Sequence, residues 1–502
     1  MKVAISNLGN IQKAEIELSP FTVFIGRSGT GKSWTAYTIA SIVSNYGFKS
    51  YLQIYEDKIK REQYNLEYDV LEESIQEFLE SGSCQINLVN FAQKFAEKYV
   101  NDLAKMSPNW LSKFLGTSRL NFNNLEVKFS INELKQDLVT RIRQISFQQE
   151  MNYGNQGLKV FKQQDEEEIY FYQVYEGNRD SLKDSLKLPP LLIRDLFLKT
   201  ILGIIHECFY ADVHIFPTER TAYIGFPFSV NLSKLMELGF PFSVNLSKLM
   251  ELEMEKTISP EEQKPIEEQK PIMENLMKFM KFKRSTRSGI IDSLTSVIAS
   301  AVIKTDQERD EEAEKDPQIK KYIDLANFLQ ENILSGHVKF DSSPLVNEII
   351  FEPIPDVKLE MHITSSMIKE LTPLYLCLRY LAKPNELLVI DEPEMNLHPA
   401  AQVEITEFLA MLVNAGIKVL ITTHSPYIVN HISNLIKAAN YENKDTIKEK
   451  FYLERTDAFI AQKNVSIYLF EDGTAKNILH ENGQIDWDTF ADVSDDVGHI
   501  LF

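Results

Sequence analysis

Gly26-Arg27-Ser28-Gly29-Thr30-Gly31-Lys32-Ser33 is the stretch that decides the fold of this chain. It matches GxxxxGK[ST] in full. Before it, Phe21-Thr22-Val23-Phe24-Ile25 is a nearly continuous apolar run, the pattern of a strand buried on both faces; after it a helix is predicted from about Lys32 to Tyr46. A glycine-rich turn that opens a helix directs backbone N–H groups at phosphate oxygens, at the end of the helix that favours negative charge. The eight residues Gly26, Arg27, Ser28, Gly29, Thr30, Gly31, Lys32 and Ser33 are therefore predicted to cradle ATP. Lys32 offers a point charge to the β- and γ-phosphates, and the Ser33 hydroxyl a ligand to Mg²⁺.

Far downstream, Leu387-Leu388-Val389-Ile390-Asp391-Glu392-Pro393 reads as an apolar strand ending in two carboxylates. Asp391 is expected to hold Mg²⁺ through water, and Glu392 to accept a proton from the attacking water or orient it. A helix follows from Pro399 with apolar positions Val403, Ile405, Phe408, Leu409 and Leu412, stopping at Gly416. Lys418–Thr423 then reads as a second parallel strand that delivers His424, expected to bond the γ-phosphate at the edge where ligands of open α/β sheets collect. Further strands are predicted as a hairpin through Val3, Ile5, Ile11, Ala14, Ile16 and Leu18, and at Val213–Phe216, followed by Pro217-Thr218-Glu219-Arg220.

Taken together these segments resemble ABC-type ATPases of the SMC, RecF and OLD group, whose heads combine P-loop, DEP, LHP and THSP segments. The resemblance implies an α/β fold: an ABC-type P-loop ATPase head with a large, mostly helical insertion. Residues 1–48 would carry the P-loop half of the head, 49–345 the insertion (with a head strand and loop at about 205–222), and 346–502 the rest of the head. It also implies that Ile363-Thr364-Ser365-Ser366-Met367-Ile368-Lys369-Glu370-Leu371 is the signature stretch, with Met367 where glycine is usual. Ser365 and Ser366 would then cap the γ-phosphate held by a second head, so that the chain forms a homodimer or higher homo-oligomer bridged by ATP. Phe216–Arg220 resembles a proline-and-arginine loop of these relatives, and Gln148 and Gln149 are the candidates for a Q-loop.

Inside the insertion, helices are predicted at Ile59–Phe78 and Leu88–Leu103 and strands near Leu125–Ile131 and Glu168–Tyr175. Gly225–Leu238 is repeated identically as Gly239–Leu252, and Glu261–Ile266 as Glu267–Ile272. Units so short and so few do not make a solenoid. The cluster Lys278, Lys281, Lys283, Arg284 and Arg287, interleaved with Phe279 and Phe282, reads first as the wet face of a helix and alternatively as a grip on nucleic acid.

Composition narrows the class. Hydrophobic residues make up 44% and charged residues 25% of 502, with no apolar run of membrane-spanning length, so a cytoplasmic chain without membrane contact is expected. The net charge of −19 opposes general coating of nucleic acid, leaving DNA a local partner at most. Cys84, Cys208 and Cys377 show no CxxC spacing, which predicts buried reduced thiols rather than a disulfide framework or zinc site. OLD nucleases carry a Toprim domain after the head. Here the tail acids Glu471, Asp472, Asp495 and Asp496 read as surface, so no nuclease activity is expected. The chain is similar instead to stand-alone ATPase subunits of anti-phage defence systems, the AriA family of PARIS and the PtuA family of Septu. That likeness implies a sensor that answers a phage protein and controls a separate effector nuclease or toxin; the alternative is a RecF- or SMC-like ATPase of DNA repair that clamps DNA directly.

Overall fold

The computed structural model describes residues 1–60, 68–153, 156–175, 190–225, 288–343, 346–480 and 482–485. Its strands are β1 (Lys2–Leu8), β2 (Ile11–Glu17), β3 (Phe21–Ile25), β4 (Ser83–Asn87), β5 (Glu126–Ser130), β6 (Phe147–Tyr153), β7 (Gln156–Lys162) and β8 (Glu168–Tyr175). There follow β9 (Val213–Phe216), β10 (His337–Ser343), β11 (Val346–Glu352), β12 (Leu359–Glu360), β13 (Leu387–Asp391), β14 (Lys418–Thr423), β15 (Val465–Glu471) and β16 (Thr474–Asn477).

Nine of them form one sheet in the order β5-β1-β2-β16-β15-β3-β14-β13-β9. From β15 to β9 every neighbouring pair is parallel. The β1–β2 hairpin, β5 and β16 add a largely antiparallel lobe at the other edge. β3, β9 and β13 are buried at every position, as the unbroken apolar runs require of parallel strands covered on both faces.

Alternation along these strands sends side chains into two cores. Phe24, Val213, Ile215, Leu387, Val389 and Leu420 join the core made with the P-loop helix Lys32–Val43 and the insertion. Phe21, Val23, Ile25, Phe216, Leu388, Ile390, Val419 and Ile421 face the helices Ser366–Leu376, Pro399–Asn414 and Pro426–Ala439. The helix Ser366–Leu376 and the P-loop helix thus lie on opposite faces of one sheet.

The described part of the insertion is mainly helical, with helices Asn45–Lys60, Asp69–Ser81, Leu88–Met106, Pro108–Phe114, Lys135–Gln144 and Pro190–Phe209. It also holds a separate four-stranded sheet, β4-β8-β7-β6, while β5 leaves it to pair with β1. Two sequence expectations change here. The first helix ends at Val43, not Tyr46, because Ser44 is extended; the next helix then turns back so tightly that a Cβ on Gly47 would lie 2.3 Å from the Ser41 carbonyl oxygen. Nor is Ile59–Phe78 one helix: Tyr68 is fully buried in a non-helical conformation, and a new helix begins at Asp69. Apart from Gly225, both tandem duplications lie outside the described residues, as does the whole Lys278–Arg287 cluster. Among the described residues no helix is long and apolar enough to cross a membrane.

Candidate active site

The P-loop leaves β3 through Gly26, Gly29 and Gly31, all with positive φ, of 140°, 79° and 98°. At two of them a side chain has no room: a Cβ on Gly26 would lie 2.5 Å from the carbonyl oxygen of Phe470 in β15, and one on Gly31 2.8 Å from Ile11. The Asn10 side-chain amide donates to the Gly29 carbonyl at 2.9 Å, and the Thr30 hydroxyl to the Arg27 carbonyl at 2.9 Å, so the loop is braced on both sides. Lys32 is buried, and its ammonium donates to the carbonyls of Gly26 at 3.0 Å and Arg27 at 2.9 Å. Burial pushes its pKa below the usual lysine range, against the pull of Glu392, Asp391 and Glu394.

Asp391 ends β13 beside this loop and collects hydroxyl groups. Ser33 donates to Oδ1 at 2.7 Å; Oδ2 accepts from Tyr37 at 2.8 Å and Thr218 at 2.6 Å; Thr422 also donates to Oδ1. Three segments distant in sequence, the helix of Ser33 and Tyr37, the loop of Thr218 and the strand of Thr422, thereby converge on one carboxylate. The Ser33–Asp391 contact fits a hard divalent cation, because a hydroxyl and a carboxylate oxygen are the ligand types Mg²⁺ takes from a protein while keeping waters. When bound there, the ion would neutralise developing charge on the β- and γ-phosphate oxygens.

Glu392, the next residue, turns out of the strand with φ 50° while its N–H donates to the Thr422 carbonyl at 3.0 Å. Its Oε1 lies 3.4 Å from His424 Nε2, which is in turn 3.1 Å from Lys32 Nζ. Burial, then the neighbouring charges of Asp391 and Glu394, raise the Glu392 carboxyl above its ordinary range. Burial and the Lys32 charge hold His424 below the usual imidazole value, so its ring is neutral near pH 7. Glu394 fixes the histidine, accepting from the backbone N–H of His424 at 2.7 Å and from the Thr423 hydroxyl at 2.8 Å. The Ser425 hydroxyl caps the following helix and donates to Gln402 at 2.5 Å.

A buried arginine ties these parts to the helix Ser366–Leu376. Arg220 Nε lies 2.7 Å from the Glu370 carboxylate; its other nitrogens donate to the carbonyls of Pro217 at 3.0 Å, Asp391 at 2.9 Å and Glu392 at 3.3 Å. Glu370 also accepts from the side chain of Asn396, at 3.0 Å, in the turn before the helix Pro399–Asn414.

The structure thus brings together Lys32, Ser33, Asp391, Glu392 and His424, which the sequence had singled out. Ser365 and Ser366 are exposed, and among the described residues neither shares a hydrogen bond with that cluster; Ser365 caps its own helix, accepting from the Ile368 N–H at 3.3 Å. Gln148 and Gln149 lie on β6, outside the sheet that carries the site. Tyr37, Thr218, Thr422, Glu394 and Glu370 were not read from the sequence. Each is an ordinary polar residue in or beside an apolar run; Thr218 and Arg220 stand in the loop noted after β9, and Glu370 in the stretch Ile363–Leu371, but no local pattern marks any of the three for its contact.

The sequence profile of the family described as AAA ATPase domain (AAA_15) matches residues 1–429. The Old nuclease of Escherichia phage P2 is 26% identical over 213 residues, covering 33% of this chain and 36% of that protein; the chain thus spans about a third of the length of this curated relative. Among solved structures, the Smc head bound to the C-winged helix domain of ScpA is 10% identical, covers 95% of this chain and 96% of its own, and aligns with a TM-score of 0.33. The Smc head domain with an extended coiled coil bound to the C-terminal domain of ScpA, derived from Pyrococcus furiosus, gives 10% identity, coverage of 99% and 98%, and a TM-score of 0.32. At such scores the likeness carries no argument of its own; the fold stands on the sheet order and the family match.

Proposed function

Since this chain belongs to the AAA ATPase domain family, whose profile spans both its P-loop and its Asp391–Glu392 strand end, we propose that it is a nucleotide-driven switch in which two heads close around ATP. The observation that carries this reading is the meeting of Ser33 with Asp391 at 2.7 Å and of Glu392 with His424 at 3.4 Å, on strands that only a folded α/β head makes neighbours. Backbone N–H groups of Gly29–Ser33 and the Lys32 ammonium bind the phosphates. Ser33 and Asp391 hold Mg²⁺. Glu392 takes the proton of the attacking water, and His424, neutral and fixed through its backbone by Glu394, orients the γ-phosphate. The exposed Ser365 and Ser366 at the N-terminus of their helix are suited to cap the γ-phosphate of a second copy. Hydrolysis then removes the charge that bridges the heads, and closure follows the nucleotide.

The output of the switch is a separate effector nuclease or toxin, in an anti-phage role triggered by a phage protein. The supporting observations are the partial likeness to a phage Old nuclease and the use of β15 and β16 to complete the ATPase sheet. In that setting Glu471 and Asp472 are exposed at a hairpin turn. The test is a pull-down of Glu392→Gln, expected to bind ATP but turn it over slowly, with bound protein and nucleic acid both identified. A stoichiometric nuclease or toxin supports the reading. Recovery of DNA alone replaces it with a DNA clamp.

A further inference from the structure

At the other end of the Asp391 strand, three buried donor side chains from distant parts of the sequence meet. His214 is on the edge strand β9, Glu386 immediately precedes β13, and Cys377 opens the wide π turn Cys377–Leu381 that ends the signature helix. They are 7%, 2% and 0% exposed, and their ligand atoms all lie within 4.8 Å of one another. His214 Nε2 and Glu386 Oε2 are 3.3 Å apart, an ion-pair distance, and among the described residues neither atom has a hydrogen-bond partner outside this trio.

We propose that His214, Cys377 and Glu386 form a binding site for a divalent metal of the zinc type. Nitrogen and oxygen ligands about 2.0–2.1 Å from a tetrahedral Zn²⁺ stand about 3.3 Å apart, which is the separation seen between His214 and Glu386. A neutral imidazole, a thiolate and a carboxylate cancel the charge of a divalent ion, so the occupied site would be electroneutral. The sulfur and nitrogen donors select zinc or its cobalt substitute over Mg²⁺, which separates this site from the oxygen ligands Ser33 and Asp391. Three protein ligands leave a fourth position to water. A widened π turn is a frequent local distortion at functional sites, and here it begins at the residue that supplies the thiolate. Binding would fasten the end of the signature helix to the roots of β9 and β13, so the metal would stabilise the head rather than join the chemistry at Glu392.

The test uses the full chain, free of any histidine tag and purified without chelator. About one zinc per chain should survive dialysis, and millimolar Mg²⁺ should not displace it. Co²⁺ should bind with a near-ultraviolet thiolate-to-metal charge-transfer band. Cys377→Ser should abolish that band, and His214→Ala should weaken retention roughly tenfold or more, in line with the coupling of ligand set to affinity. If either variant fails to fold, the cobalt spectrum and chelator competition of the unsubstituted chain still decide. Zinc lost on simple dialysis, or cobalt bound without the thiolate band, overturns the proposal.

Discussion

Replacing Arg220 with methionine removes the cation that, among the described residues, faces Glu370 inside the head. The arginine is 2% and the glutamate 1% exposed, with Nε 2.7 Å from the carboxylate, and Arg220 also donates to the carbonyls of Pro217, Asp391 and Glu392. Removing one partner of a buried pair costs about 3–5 kcal/mol, because a buried charge is left uncompensated. Protonation limits that cost. Burial already raises the Glu370 carboxyl above its ordinary 4.5, with Arg220 pulling it down; without the guanidinium it rises further. The folded variant then holds a proton that the unfolded chain releases above pH 4.5, so its stability declines as pH rises from there through the folded pKa. The slope is at most about 1.4 kcal/mol per pH unit. In urea unfolding at several pH values, Arg220→Met should therefore lose more stability relative to the unsubstituted chain at pH 7 than at pH 5. Adding Glu370→Gln should recover about 1–3 kcal/mol and flatten the pH dependence, since contacting partners are not additive. A deficit equal at pH 5 and 7, or a double variant as unstable as the two single losses summed, would refute the account.

The same geometry sets other expectations. Glu392→Gln should lower ATP turnover by about 10²–10⁴-fold with binding kept, measured with a fluorescent nucleotide and phosphate release. The acid limb of the unsubstituted enzyme should lie above the carboxyl's ordinary 4.5 and disappear from the residual rate of that variant. Asp391→Asn should blunt the response of turnover to Mg²⁺ titration, and chelation of Mg²⁺ should silence the unsubstituted chain. Ser365→Arg, at an exposed position, should cost stability no more than the loss of one helix cap, about 0.5–2 kcal/mol, but abolish ATP-induced dimers in light scattering; mixing it with the equally inactive Lys32→Ala should restore some activity, because one intact composite site can form across the pair. No recovery in the mixture would count against a serine acting across the interface.

Much of this was legible because it is local. The turn Gly26–Ser33 needs glycines where side chains meet Phe470 or Ile11, and a buried parallel strand needs an unbroken apolar run. Those requirements are written residue by residue at β3, β9, β13 and β14, and all four strands form at the predicted positions. The spacing of glycine, carboxylate and histidine after those strands marks Lys32, Ser33, Asp391, Glu392 and His424 in the sequence itself. The break at Ser44 was not legible, since the helical pattern continues past it and only the return of Gly47 onto the Ser41 carbonyl shows why the helix stops.

What the tertiary structure alone decided is which distant residues become neighbours. Arg220 and Glu370 are 150 residues apart in the chain, and nothing in either local pattern calls for the other; sheet order sets β9 beside β13 and the helix Ser366–Leu376 packs over them. Thr218, Tyr37 and Thr422 reach Asp391 for the same reason. The three cysteines gave no metal spacing, yet Cys377 meets a histidine from one strand and a glutamate from the root of another. Backbone requirements act over a few residues and leave a pattern in the sequence. Side-chain charge and ligand pairing act through space, and become visible when the sheet fixes which strand lies beside which.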